Sequence, residues 1–268
     1  MAVFPDKPYI LLASYPRSGN TFLRNILFEV FGVFSWNNMK MYSRRMDEYM
    51  ELDKLQEFSA LGADDLKRHN TLEKQLKQFV LKTHEMPSKI LPHCDENAKL
   101  IYLVRDGRDA LVSMAHHRKD IVEPGTDFLT NLEESILAPL GSHFGGWGNN
   151  VTEWTKIAHL VIYFENLIQE PEKEIQRLKA VLDFPEPNLD NIPTFDSQRS
   201  GEAHFGRKKR QSMPQEEKDA FSEKFFRSGK IGGWKDDMPK ELHRKFWKKY
   251  GDVMLTMGYQ KDGSLKIK

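Results

Sequence analysis

Ile10 to Ser14 is a short apolar run that stops at Tyr15-Pro16-Arg17-Ser18-Gly19-Asn20-Thr21. Beyond it Phe22, Leu23, Ile26, Leu27, Val30 and Phe31 recur at helical spacing. The pattern predicts a strand, a tight loop and a helix. A short run with no polar alternation suits a strand buried on both faces, which is the habit of parallel sheets, and the helix supplies the crossover. Phe79 to Thr83, Leu100 to Arg105 and Leu160 to Phe164 repeat the theme, each followed by polar residues and then a helical pattern. The expected fold is therefore α/β: a three-layer, P-loop-like domain with a central parallel β-sheet flanked by helices. In such sheets ligands bind at the carboxyl ends of the strands.

At 268 residues the chain suits one domain spanning 1–268. Forty basic residues against 39 acidic ones leave a formal charge of +1, so no overall field recruits nucleic acid or an anionic membrane, and any anion site must be local. The single cysteine, Cys94, cannot form an internal disulfide, which fits a reducing, cytoplasmic setting. The apolar Tyr9–Ala13 stretch is far shorter than the roughly 20 residues of a membrane span. Leu242, Phe246, Tyr250 and Val253 predict an amphipathic helix against the sheet. Trp36 to Gln78 reads as a lid or acceptor wall. Pro185 to Pro214 reads as a loop, whose Arg207-Lys208-Lys209-Arg210 run is either a cover over an anionic ligand or merely solvated.

A loop between strand and helix gathers backbone N–H groups and the positive end of the helix dipole at one point, and such a point binds phosphate. The nucleoside triphosphate version has the form G-x-x-x-x-G-K-[ST], with its lysine on the β- and γ-phosphates. Here Gly19 and Thr21 are in register, but Ser14 stands at the first glycine and Asn20 at the lysine. The cation has moved to Arg17. This favours a ligand with one charged group at that place and no obligatory metal, against the plainer reading of a strand-turn-helix with a solvated arginine. In Arg105-Asp106-Gly107-Arg108-Asp109 and the following helix to Ser113, Arg105 and Ser113 are spaced to face one phosphate from two sides. Taken alone, the run reads equally well as a surface cluster of ion pairs.

Together these segments resemble the PAPS-dependent sulfotransferases, which use 3′-phosphoadenosine 5′-phosphosulfate (PAPS). YPRSGNTF, Tyr15 to Phe22, is similar to the family's Tyr-Pro-Lys-Ser-Gly-Thr-Thr-Trp. Leu81-Lys82-Thr83-His84 resembles the segment with its catalytic histidine, and Tyr163-Phe164-Glu165-Asn166-Leu167 its Tyr-Glu-Asp segment. FRSGKIGGW, Phe226 to Trp234, resembles the closing Arg-Lys-Gly-x-x-Gly-Asp-Trp. The resemblance implies PAPS as donor, adenosine 3′,5′-bisphosphate (PAP) as product, a small-molecule hydroxyl or amine acceptor and no metal requirement. By position, Arg17 would contact the transferring group, Ser18, Gly19, Asn20 and Thr21 the 5′-phosphate, and Phe22 the adenine. Arg105, Ser113, Arg227, Ser228 and Gly229 would hold the 3′-phosphate end, with Tyr163 also at the cofactor. His84 would be the base, assisted by Lys82.

The chemistry suits these types. An attacking hydroxyl must lose its proton, which a histidine can accept near neutrality, while cations and backbone donors stabilise charge on the leaving phosphate oxygen. Four positions depart from the family pattern. Arg17 replaces a lysine, Ser228 a cation, Gly233 an aspartate, and Gly148 a residue often placed near the cofactor as tyrosine. A phosphoryl-transferring kinase and a non-catalytic nucleotide-binding protein are the rival classes; Asn20 argues against the first, and replacement of His84 would separate the second. The adjacent His116 and His117 read as surface or acceptor-pocket residues rather than metal ligands. The sequence is compatible with a homodimer.

Overall fold

A computed structural model describes residues 9–33, 35–37, 79–94, 97–138, 144–194, 196–197 and 229–267. Five strands, β1 (Tyr9–Ser14), β2 (Ser35–Asn37), β3 (Phe79–Thr83), β4 (Lys99–Val104) and β5 (Leu160–Tyr163), form one sheet in the order β2-β3-β1-β4-β5. Every neighbouring pair is parallel; Leu11 stands opposite Leu81 on one side and Leu100 on the other. The connection out of β1 leads to β2 and β3 on one flank, whereas β4 and β5 extend the other. The carboxyl end of β1 is thus the place where strand order reverses, and loops on either side of it diverge to leave a crevice.

The α-helices among the described residues are α1 (Asn20–Phe31), α2 (Pro87–Ile90), α3 (Gly107–His117), α4 (Phe128–Leu137), α5 (Trp147–Thr155), α6 (Phe164–Gln169), α7 (Pro171–Val181), α8 (Trp234–Asp237) and α9 (Lys240–Thr256). None is long and apolar enough to cross a membrane. Alternation along each strand sorts the core into two. Ile10, Leu12, Val80, Ile101, Leu103 and Ile162 face α1, α6 and α7, where Phe22, Leu23, Ile26, Leu167 and Leu178 pack on them. Leu11, Ala13, Leu81, Tyr102 and Val104 face the opposite layer, built by α3, α4, α5 and α9 around Trp147, Trp154 and Phe246. α1 ends where Gly32, at φ 65°, sends its N–H to the Phe28 carbonyl while Val33 reaches Leu27, the closed turn that glycine makes possible. α7 starts on Pro171, whose missing N–H costs nothing at that position.

Two details differ from the sequence expectation. The expected strands ending at Arg105 and Phe164 each stop one residue earlier, and Phe164 instead opens α6. β2 was not anticipated: three residues on a sheet edge carry too little pattern to read. The C-terminal amphipathic helix is present as α9, burying Leu242, Phe246, Tyr250 and Met254 in the core on one face of the sheet, with its main contacts on α3, α4 and α5. The proposed lid beyond Asn37, the Arg207–Arg210 run and the candidate residues Arg227 and Ser228 lie outside the described residues.

Candidate active site

The loop after β1 turns tightly, with the Ser18 N–H on the Tyr15 carbonyl at 3.3 Å, and delivers α1 through Gly19. Gly19 has φ 95°, and a Cβ there would lie 2.3 Å from the Phe164 ring, so neither the conformation nor the space admits a side chain. Arg17, at φ 67°, is the sole non-glycine residue with left-handed φ among the described residues. That conformation costs on the order of 1 kcal/mol or more and needs external support. Two contacts provide it: Arg17 Nε donates to Ser113 Oγ at 3.1 Å, and Arg105 donates to the Arg17 carbonyl at 3.1 Å. The residues expected at the two ends of one anionic ligand are therefore bonded to each other across the crevice.

Arg105 also donates to the Lys230 carbonyl at 3.1 Å and lies 4.5 Å over the Phe164 ring. The surface-cluster reading of the following charges is overturned, because Arg105, Asp106, Arg108 and Asp109 are all buried. Asp106 caps α3 by accepting from the Arg108 N–H and also pairs with the Arg108 guanidinium at 2.6 Å. That guanidinium is fully buried, 4.1 Å from the Trp234 ring, and donates to the Gln260 and Lys261 carbonyls. The Asp109 carboxylate accepts the N–H groups of Gly232 and Trp234, both at 2.8 Å, and so fastens the segment that begins at Gly229 beside Arg105. Gly233, where an aspartate was expected, has room for a side chain, but α8 already receives its capping carboxylate from Asp109. Gly148 is a packing glycine: a Cβ would meet the Tyr250 ring at 2.6 Å.

Inside this arrangement the buried Ser18 Oγ and Arg105 Nε have no hydrogen-bond partner among the described residues. A buried polar atom left unpaired costs about 1–3 kcal/mol. An anion seated between the loop and Arg105 would satisfy both, so the residues fit a phosphate-bearing ligand. Asn20 is turned inward, donating to Ser14 Oγ at 3.0 Å, and Thr21 is half-buried at the mouth of α1. Phe22 packs in the α1-side core, and Tyr163 is buried with its ring 5.9 Å from that of Tyr259.

His84 follows β3 directly. Its Nδ1 lies 2.7 Å from the Ser14 carbonyl and 3.2 Å from Ser14 Oγ. A carbonyl can only accept, so the proton sits on Nδ1 and the lone pair on Nε2. Burial holds the imidazole well below the ordinary histidine range; Lys82 pushes the same way, the Ser14 carbonyl opposes, and Arg24 and Arg17 add further cationic pressure. Lys82 is itself buried, and burial, then Arg24, bring its ammonium down to about 7. The Phe144 ring meets His84 edge-on at 5.9 Å and Tyr15 at 6.4 Å, giving the imidazole an aromatic wall. His116 stacks on Phe128 at 4.1 Å and faces Asp237 at 3.5 Å. Among the described residues no group of three or more His, Cys, Asp or Glu side chains is placed to hold a metal ion.

The sulfotransferase domain family model matches residues 7–258. The chain belongs to the sulfotransferase domain family. Among curated relatives, Sulfotransferase 1A1 from Bos taurus is 26% identical over 266 residues, covering 94% of this chain and 84% of that protein. Sulfotransferase 1 family member D1 from Mus musculus is 27% identical over 276 residues, covering 97% and 85%. Solved structures share the fold: mouse sulfotransferase SULT7A1 complexed with PAP has a TM-score of 0.60 at 18% identity, covering 93% of this chain and 85% of that one. Retinol dehydratase in complex with androsterone and PAP has a TM-score of 0.55 at 20% identity, covering 93% and 82%.

Within this sulfotransferase domain, His84, Lys82, the Arg17–Thr21 loop, Arg105, Ser113 and Gly229 are gathered at the carboxyl edge of the sheet, and Tyr163 ends the neighbouring strand β5. Sequence reasoning missed Ser14, which orients His84, Phe164, which lies under both Gly19 and Arg105, and Asp109, which anchors the closing segment. Ser14 was visible only as a missing glycine. Asp109 looked like one of several alternating charges.

Proposed function

We propose that this sulfotransferase moves the sulfuryl group of PAPS onto a hydroxyl or amine of a small-molecule acceptor and releases PAP, within a single domain spanning 1–268. The observation that carries this reading is the pair of unsatisfied buried groups, Ser18 Oγ and Arg105 Nε, flanking a loop whose Arg17 is already bonded to Ser113. PAPS, when bound, would supply the sulfuryl group, its bond to the 5′-phosphate oxygen giving way to the bond with the acceptor, and PAP would be the leaving group. His84 accepts the acceptor's proton on Nε2, in the tautomer that the Ser14 carbonyl selects. Its depressed basicity keeps it neutral, hence ready to accept, across the physiological range. Arg17 remains charged throughout and acts electrostatically on the leaving phosphate oxygen, and Lys82, whose ammonium is brought down to about 7 by burial and Arg24, assists from β3 as the anion's approach favours its charged form. Ser18, Gly19, Asn20 and Thr21 hold the 5′-phosphate, with Phe22 toward the adenine. Arg105, Ser113, Arg227, Ser228 and Gly229 hold the 3′-phosphate, and Tyr163 borders the nucleotide. The acceptor enters beside Phe144 and Tyr15.

The test is a thermal unfolding shift with PAP against one with ATP and magnesium. PAP at about one hundred times its dissociation constant should add roughly 2.7 kcal/mol to stability. The shift should shrink in Arg105→Ala and ignore a chelator, and His84→Ala should lose turnover while still binding PAP. Stabilisation by ATP with magnesium alone would overturn the proposal in favour of phosphoryl transfer.

A further inference from the structure

β3 stops at Thr83, so the main chain at His84 and Glu85 has left the sheet and needs other support. α5 provides it from two residues one helical turn apart. Trp154 Nε1 donates to the Glu85 carbonyl at 3.0 Å. Asn150 Nδ2 donates to the Phe144 carbonyl at 3.0 Å and, more loosely, to the His84 carbonyl at 3.4 Å, with Met86 Sδ at 3.7 Å. Asn150 therefore joins the backbone of the base to the backbone of the aromatic residue whose ring lies edge-on to it.

The orientation of this amide is itself determined. Tyr102, fully buried in β4, donates its hydroxyl to Asn150 Oδ1 at 2.8 Å, and its ring stacks on Trp154 with planes 12° apart. Turning the amide over would set its oxygen against two carbonyls, so the Nδ2 donors must face His84 and Phe144. Asn150 is fully buried, and every polar atom of its side chain is used. A residue needed only to fill space between α5 and the sheet would be apolar, because a buried amide is tolerated only when its bonds are complete.

We propose that Asn150 is a positioning residue for His84: by holding the His84 and Phe144 carbonyls, and being held by Tyr102, it keeps the imidazole against Ser14 in the Nδ1–H tautomer. The inference rests on the reading of His84 as the base. Freed from Asn150, the loop after β3 drifts, the 2.7 Å contact to the Ser14 carbonyl lengthens, and the proton redistributes between the two ring nitrogens.

Nitrogen NMR of the protein labelled with 15N-histidine reads the tautomer directly and needs no acceptor; the His84 signals are assigned by their loss in His84→Gln. The unsubstituted protein should show one Nδ1–H tautomer. Asn150→Leu should show a mixture, and Tyr102→Phe, which keeps the fold's packing and removes one hydroxyl, a smaller change in the same direction. PAP affinity should stay within about twofold in both, because neither residue touches the groups that face the anion. Retention of the Nδ1–H tautomer in both variants would overturn the proposal, as would a loss of PAP affinity matching the tautomer change. If PAP fails to bind even the unsubstituted protein, the nucleotide assignment falls while the tautomer comparison still decides the role of Asn150.

Discussion

Lys82 is a buried ammonium whose value falls from 10.5 to about 7, first through burial and then through Arg24. The sign of its contribution to stability follows from linkage. Between about pH 7 and 10.5 the unfolded chain binds a proton at this residue that the folded chain has released, so stability rises with pH through that window. Below pH 7 both states are protonated and the folded protein carries the full burden of a buried charge. Lys82→Met should therefore be more stable than the parent at pH 6.5, with the advantage shrinking by pH 9.5, as urea denaturation at the two pH values would reveal. An equal difference at both would mean that Lys82 is solvated. Burial and the same cationic crowding lower His84, and an incoming multiply anionic nucleotide would relieve the crowding on both. A site so charged is held back from its best stability until its ligand arrives.

The elements around the site are tied together by carboxylates as well as by apolar contact. The closing segment from Gly229 to Trp234 reaches α3 through the two bonds that Asp109 accepts, and reaches Arg105 through the Lys230 carbonyl. Asp109→Asn keeps one acceptor but turns an N–H toward another N–H, so one charge-assisted bond of about 1.5–3 kcal/mol is lost. If the segment closes on the nucleotide, PAP affinity should fall by roughly tenfold to a hundredfold, measurable by calorimetric titration; unchanged affinity would mean that the segment plays no part in binding. Much of this element-level layout could be read from sequence. Four buried runs gave four of the five strands, and the gap in the phosphate-loop pattern at Asn20 gave the kind of ligand. What stayed hidden was long-range pairing. The Asp109 carboxylate meets backbone 123 and 125 residues away, and the alternating signs of Arg105 to Asp109 look the same whether solvated or buried. Asn150 was equally silent, since its work is done through carbonyls that every residue possesses.

At the scale of the molecule, one sheet serves two hydrophobic cores, with adjacent residues of each strand pointing into opposite layers. Neither layer can be lost without stripping one face of β1, β3 and β4. The C-terminal stretch is bound into the same unit: Tyr259 donates to Glu165, whose other oxygen accepts the Asp106 N–H, and Arg108 holds the Gln260 and Lys261 carbonyls. Removing one partner from such a buried pair typically costs about 3–5 kcal/mol, because the other charge is stranded. Arg108→Ala should thus lower the whole protein's unfolding midpoint, although Arg108 reaches neither the phosphate loop nor His84. For a single domain spanning 1–268, scanning calorimetry should give one transition in the parent and one, at lower temperature, in the variant. PAP should shift each peak as a whole. Two peaks, with PAP moving only one, would divide the chain into separate units and confine the nucleotide to one of them. A single peak moved by both PAP and Arg108→Ala would mean that the carboxyl edge of the sheet and the C-terminal strap share one folding equilibrium, so that nucleotide binding stabilises residues the nucleotide never touches.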